Sequence, residues 1–272
     1  MSIIKIHAYY YQQFDADYSL DVPAEGFGGW KKADLEINLD KTAVVLMHAW
    51  DCGIRKQYPG WYNTIEYIPR ANDICSNIFP RLLQAVRNSP LKVFHVAVRG
   101  EYLERYPGYD AAVKLAGNES RTLDMIEGDP VVKKLWEFRS DYVVPGTNNK
   151  KDVSSGFKNL DFAKEARPLE HEGIAVNADQ LFALCREQGV NHLVYAGFAI
   201  NGCLLVSPGG ITDMVRRGLM CSAIRQAVTA IENKETARNE LGKELGLWFV
   251  SIISGFVYDI DDFINGILSL HQ

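Results

Sequence analysis

The run Thr42-Ala43-Val44-Val45-Leu46-Met47 is apolar after its first residue, with β-branched side chains at 42, 44 and 45. A strand with one wet face alternates apolar and polar residues. This run does not alternate, so it reads as a strand buried on both faces, which belongs to a parallel sheet covered by helices on each side. Runs of the same kind recur at Leu91 to Val98, His192 to Tyr195, Leu219 to Ile224 and Leu247 to Ile253. Between them lie stretches with apolar residues at helical spacing. One holds Ile74, Ile78, Leu82, Leu83 and Val86; another, Asn177 to Gly189, has an N-cap asparagine and a C-terminal glycine. Lys234 to Leu245 and Phe263 to Leu270 read as further helices. Strands alternating with helices predict an α/β fold: a three-layer sandwich with a mostly parallel, Rossmann-like central sheet and right-handed crossovers.

Residues 1–40 read as an N-terminal arm, aromatic and acidic, with one short strand from Ile3 to Ala8. Its Tyr9-Tyr10-Tyr11 run is expected to cover an edge of the core or a subunit contact. Residues 41–272 read as one domain. From Arg99 to Val176 the pattern predicts long loops, with a short helix at Pro130 to Arg139 and a polar surface loop at 146–156. A loop region of this length lies over a site or makes a subunit contact. His95, inside a strand pattern, reads as a satisfied core residue.

A net charge of −5 gives no basic surface for nucleic acid or an anionic membrane. No apolar run reaches membrane-spanning length, and the first residues lack the basic leader and apolar core of a signal peptide. The five cysteines are an odd number with no CxxC pair, which suits reduced thiols in a cytoplasm better than disulfides or a zinc site. Neither GxGxxG after the first strand nor GxxxxGK[ST] is present, which ranks a nucleotide-binding reading low.

The chemistry concentrates at Gly197-Phe198-Ala199-Ile200-Asn201-Gly202-Cys203. A buried strand enters a turn of small residues, and a helical pattern follows. This arrangement puts Cys203 at the carboxyl end of a strand and at the start of a helix, where free N–H groups favour a thiolate. Taken alone, Cys203 could equally be a small buried hydrophobe, as most free cysteines are. At the end of the Thr42 strand a second polar cluster follows, His48-Ala49-Trp50-Asp51-Cys52-Gly53.

These segments resemble the isochorismatase-like cysteine hydrolases, a family that includes nicotinamidases and N-carbamoyl amidohydrolases. The resemblance spans most of Thr42 to Ile267 and diverges in the middle. It implies a parallel sheet of about six strands, no cofactor, no catalytic metal, a small-molecule substrate and a homo-oligomer, dimer or tetramer. It implies Cys203 as nucleophile and a cis peptide between Ala199 and Ile200. The amides of Ile200 and Cys203 would form the oxyanion hole, and Trp50, Ala199 and Asn201 would line the substrate site. The family's aspartate is replaced here by His48, with Asp51 as the nearest acid, and its lysine is missing from Pro168-Leu169-Glu170-His171-Glu172.

Two functions follow. In the first, the chain is a hydrolase of an amide or other C–N bond. Cys203 attacks, His48 is the base, Asp51 or Glu170 orients it, and Glu170 and His171 help hold the substrate. In the second, the chain is a non-catalytic member that kept the scaffold and binds a small molecule or serves as structure.

Overall fold

A computed structural model describes residues 1–117 and 125–271 of the chain. Among these residues eight strands form one sheet: β1 (Ile3–Gln12), β2 (Gly29–Asn38), β3 (Thr42–Met47), β4 (Lys92–Val96), β5 (Gly173–Ala175), β6 (His192–Phe198), β7 (Met220–Thr229) and β8 (Val257–Tyr258). Their order is β2-β1-β8-β7-β6-β3-β4-β5. The strands from β8 to β5 are parallel throughout, and β1 and β2 join antiparallel at the β8 edge. The expected mostly parallel sheet is therefore present. Among the described residues ten α-helices accompany it: α1 (Pro59–Thr64), α2 (Ile68–Asp73), α3 (Phe79–Arg87), α4 (Pro107–Ala116), α5 (Pro130–Tyr142), α6 (Lys150–Lys158), α7 (Ala178–Gln188), α8 (Ile211–Val215), α9 (Leu241–Ile253) and α10 (Ile260–Leu268).

The layers follow from the pleat. In β3, Val44 and Leu46 join a core with Phe79, Leu82, Phe263 and Ile267, from α3 and α10. Ala43, Val45 and Met47 point the other way, into a core with Leu181, Leu184, Met214, Leu247 and Val250, from α7, α8 and α9. All six residues of β3 are buried, as the unbroken apolar run requires.

Helix caps match the sequence where the chemistry is local. Asn177 Oδ1 accepts the Gln180 amide at 2.9 Å ahead of α7, and Gly189 closes that helix in the left-handed region at φ 65°.

Four expectations are corrected. The apolar run Leu247 to Ile253 is not a strand but the second half of α9, and Lys234 to Leu245 is mostly the loop before it. A short apolar run does not separate buried strand from helix by composition. Here Gly242, Gly246, Leu247 and Val250 are the buried positions, a helical spacing, and the eighth strand is the later Val257–Tyr258. The N-terminal arm is a hairpin of two ten-residue strands that extends the sheet, not an arm with one short strand. Ile4, Ile6 and Ala8 face the core at alternate positions, and Tyr11 packs edge-on to Trp30 and Trp248. In the region from Arg99 to Val176 the expected helix at Pro130 to Arg139 is present as α5, but α4 and α6 stand where loops were expected, and the expected surface loop at 146–156 contains most of α6. Residues 118–124 of that region lie outside the described ones.

Candidate active site

The carboxyl ends of β3 and β6 lie side by side, with Met47 opposite Gly197. Their approach depends on Gly197. Its φ is 117°, and a Cβ there would sit 2.0 Å from the Met47 carbonyl oxygen. Only a residue without a side chain lets β6 run this close to β3.

After Gly197 comes a cis peptide between Phe198 and Ala199. The resemblance had implied it one bond later, at Ala199–Ile200. Ala199 is extended, and its carbonyl accepts the amides of Gly202 at 3.1 Å and Leu204 at 3.0 Å. The second bond spans five residues, so Ile200–Leu204 is a wide π-type turn. Two contacts brace it. Ile200 is buried against α9, where a Cβ on Gly246 would come within 2.9 Å of Ile200 Cγ2. Asn201 makes a reciprocal pair with the backbone of Ile231: its Nδ2 donates to the carbonyl at 2.7 Å, and its Oδ1 accepts the amide at 2.9 Å. The Asn201 side chain, expected at the substrate, thus holds the turn to the segment after β7. Ala199 is buried, and its carbonyl takes two bonds.

Cys203 closes the turn. It is partly buried against the α7–α9 core, with one side open. Tyr67, just before α2, is a titratable neighbour that sequence reasoning missed. Burial pushes its phenol well above the ordinary value, and its neighbours Cys203, Cys52 and Glu66 push it further in the same direction. Its ring lies 6.5 Å from that of Phe198. No sequence signal singles out Tyr67, because Phe198 and Cys203 lie far from it along the chain.

His48 follows β3 directly. Its φ of 53° lies in the left-handed region and turns the chain off the sheet. The ring stacks on Trp50 with centroids 4.6 Å apart. It is 7% exposed, and Nδ1 is buried with no hydrogen-bond partner. Burial lowers its pKa to about 4, so the ring is neutral at ordinary pH. Among the described residues no hydrogen bond joins His48 to Cys203.

The expected orienting acids lie elsewhere. The segment 49–51 pairs with 161–163: Ala163 N–H donates to Ala49 O, and Asp51 N–H donates to Asp161 O, both at 2.9 Å. That pairing turns the Asp51 side chain out to solvent, where Oδ1 accepts the Gly53 amide at 2.9 Å. Glu170 and His171 are exposed in the turn ahead of β5, on the amino side of the strand rather than at the carboxyl edge. Their neighbour Glu172 is the structured acid. It is 2% exposed and accepts from Arg87 at 2.7 and 2.9 Å, from His95 Nε2 at 2.9 Å and from the Leu169 amide at 3.0 Å. Burial alone would raise this carboxyl, but the bonds from His95 and Arg87 outweigh it and hold it at about 2. His95 is thus a bonded core histidine at Nε2, while its Nδ1 has no partner.

The remaining thiols are less available than Cys203. Cys75, Cys185 and Cys221 are buried, and Cys52 is partly so. Burial pushes Cys52, with help from Asp51, and also Cys75 and Cys185 up to about 12, and raises Cys221 as well. Among the described residues no group of three or more His, Cys, Asp or Glu side chains converges as a metal site would need.

A cleft of about 870 Å³ opens beyond β4, lined in part by Arg99, Tyr102, Arg105, Phe157, Lys158 and Asp161. Phe157 packs edge-on to Trp50 at 6.0 Å, and Trp50 stacks on His48, so an aromatic wall runs from the cleft toward the end of β3. Arg105 is paired with Asp161 at 3.0 Å.

No protein-family model matches this sequence, and no curated protein matches it. Solved structures are similar to it, and they belong to the family the sequence resembles. An isochorismatase-like hydrolase from Alkaliphilus metalliredigens is 16% identical with a TM-score of 0.49, covering 83% of this chain and 98% of that one. A cysteine hydrolase from Pseudomonas syringae pv. phaseolicola is 14% identical with a TM-score of 0.48, covering 86% and 95%. An N-carbamoylsarcosine amidase from Thermoplasma acidophilum is 16% identical with a TM-score of 0.43, covering 81% and 97%. The fold class rests on the strand order and register described above. No helix is long and apolar enough to cross a membrane among the described residues.

Proposed function

We propose that the chain is a cysteine hydrolase acting on an amide or other C–N bond of a small molecule, with Cys203 as nucleophile. The observation that carries this reading is the position of Cys203. It is partly open, in a braced turn at the carboxyl edge, where β6 ends beside β3. In an open α/β sheet that edge is where ligands bind.

In the proposed reaction the Cys203 thiolate attacks the carbonyl carbon. The oxygen takes up negative charge and is held by the amides of Ile200 and Cys203. The intermediate collapses, the C–N bond breaks, and the nitrogen leaves with a proton. The thioester is then hydrolysed by water, which regenerates the thiol. His48 is assigned as the proton carrier, because it is neutral and its Nδ1 is not engaged. Asp51 is given no role, since its carboxylate faces solvent and already accepts the Gly53 amide. Trp50 and the cleft beyond it are assigned to the substrate's non-reacting part.

The second reading is a non-catalytic member of the same fold. What favours it is the state of His48: a ring made weakly basic by burial and not hydrogen-bonded to the thiol. A panel of small amides, ureas and N-carbamoyl compounds separates the two. The hydrolase reading expects turnover that Cys203→Ala abolishes and that His48→Gln reduces by about a hundredfold or more. Turnover unchanged in Cys203→Ala overturns it. Saturable binding of a panel member without turnover supports the second reading.

A further inference from the structure

Helix α5 has thirteen residues and buries none of them. An isolated helix of this length is marginal in water, and most helices owe their stability to a packed apolar face. The face exists here. Val131, Leu135, Phe138 and Tyr142 are spaced by four, three and four residues and are 64%, 58%, 58% and 75% exposed. That is the spacing of a seam made to meet another helix. The amino end is well formed, with Asp129 Oδ1 accepting the Val132 amide at 2.8 Å. The chain just past the helix is also apolar and open, at Val143 and Val144.

We propose that this seam is a self-association surface, on which α5 of a second copy of this chain packs antiparallel across a twofold axis. Charge complementarity selects this partner. Lys134 flanks the seam in the amino-terminal half of the helix, and Asp141 flanks the same side in the carboxyl-terminal half. Antiparallel pairing sets each Lys134 beside Asp141 of the second copy, twice over by symmetry. Parallel pairing would set like charges level with each other. Asp141 already holds Lys150 and Thr147 and stays partly exposed, so its position is fixed and an oxygen is free to accept more. The area is adequate. Buried aromatic side chains contribute about 150–250 Å² each. Phe138 and Tyr142 with the two aliphatic residues then offer roughly 500 Å² per copy, so the pair reaches about 1,000 Å², the lower bound for a specific interface. The proposal does not depend on the chemistry of Cys203.

Sedimentation equilibrium of the full chain at micromolar concentration tests it. The wild type is expected to be dimeric or a multiple of a dimer. Leu135→Glu with Phe138→Glu should at least halve the mass while leaving the thermal midpoint of the monomer and its near-UV signal native. Lys134→Asp, an exposed charge change, should weaken association about tenfold, while Lys134→Arg, which keeps the charge, should leave it at the wild-type level. A monomeric wild type overturns the proposal. So does an assembly whose mass the seam variant does not change, which would put the interface elsewhere. Association unchanged in Lys134→Asp overturns the antiparallel geometry.

Discussion

Replacing Gly197 by alanine should be among the most damaging single changes in this chain, for a reason that can be worked from the geometry. The new Cβ would sit 2.0 Å from the Met47 carbonyl oxygen and 2.9 Å from both the Met47 carbonyl carbon and its amide nitrogen. Ordinary contact begins near 3.4 Å, so β6 would have to retreat from β3 by more than 1 Å where the two strands carry the site. The φ of 117° adds a conformational cost of about 1–3 kcal/mol for a residue with a side chain. Forced overpacking adds about 1–3 kcal/mol more. The sum is roughly 2–6 kcal/mol, the range that marks a named structural defect rather than an average substitution. Gly202→Ala is the control in the same turn. Its Cβ would meet only the end of the Ile231 side chain at 3.4 Å, so its expected cost is below about 1 kcal/mol. Urea denaturation followed by tryptophan fluorescence measures both. A Gly197→Ala protein within about 1 kcal/mol of wild type, or equal to Gly202→Ala, would refute the close approach of the two strands on which the site rests.

Three further outcomes follow from the same geometry. Glu172→Gln removes the charge that Arg87 and His95 share. A carboxyl held at about 2 rather than 4.5 stabilises the fold by roughly 3 kcal/mol, so the variant should lose about that amount at neutral pH. The wild type should lose the same contribution as pH falls from 4.5 towards 2, a limb absent from the variant. His48 works on a different window. Its folded pKa of about 4 lies below the ordinary histidine value of 6.5, so the unfolded chain binds the proton more readily. The contribution is fully present above pH 6.5 and is lost as pH falls through 4. His48→Gln should therefore flatten the stability–pH curve between those values by about 1.4 kcal/mol per pH unit, while His192, also held near 4 by burial, keeps its own share of the slope. An unchanged slope would mean that His48 is solvated. Asn201→Ala removes both bonds to Ile231 and should cost about 1–2 kcal/mol, read by thermal unfolding, and loosen the turn that carries Cys203.

Much of this arrangement was legible in the sequence wherever the determining interactions are local or repetitive. The unbroken apolar run of β3 gave both its burial and its parallel neighbours. The Asn177 cap and Gly189 stop bracket α7 at the expected residues. The position of Cys203 after β6 came from the change of pattern at Gly197. What failed was either ambiguous or remote. Leu247 to Ile253 fits a strand by composition, and only the packing of Gly246 against Ile200 shows why it is helical. Glu172 and His95 are 77 residues apart, and Arg87 lies on another element still, so only the strand order brings the three together. Asp51 is close to His48 in sequence, yet the pairing of 49–51 with 161–163 turns its side chain outward. Proximity along the chain was a poor guide at the site for that reason.

The central claim is that Cys203 is the reactive thiol of this chain, and the most direct measurement is alkylation by iodoacetamide near neutral pH with peptide mapping over time. Cys52, Cys75 and Cys185 are pushed up to about 12 by burial and Cys221 is raised too, so each should react slowly in the native protein. The account predicts that Cys203 is modified first, ahead of the other four thiols, and that Gly197→Ala abolishes this preference. Labelling of Cys203 no faster than the four buried or half-buried thiols would contradict it.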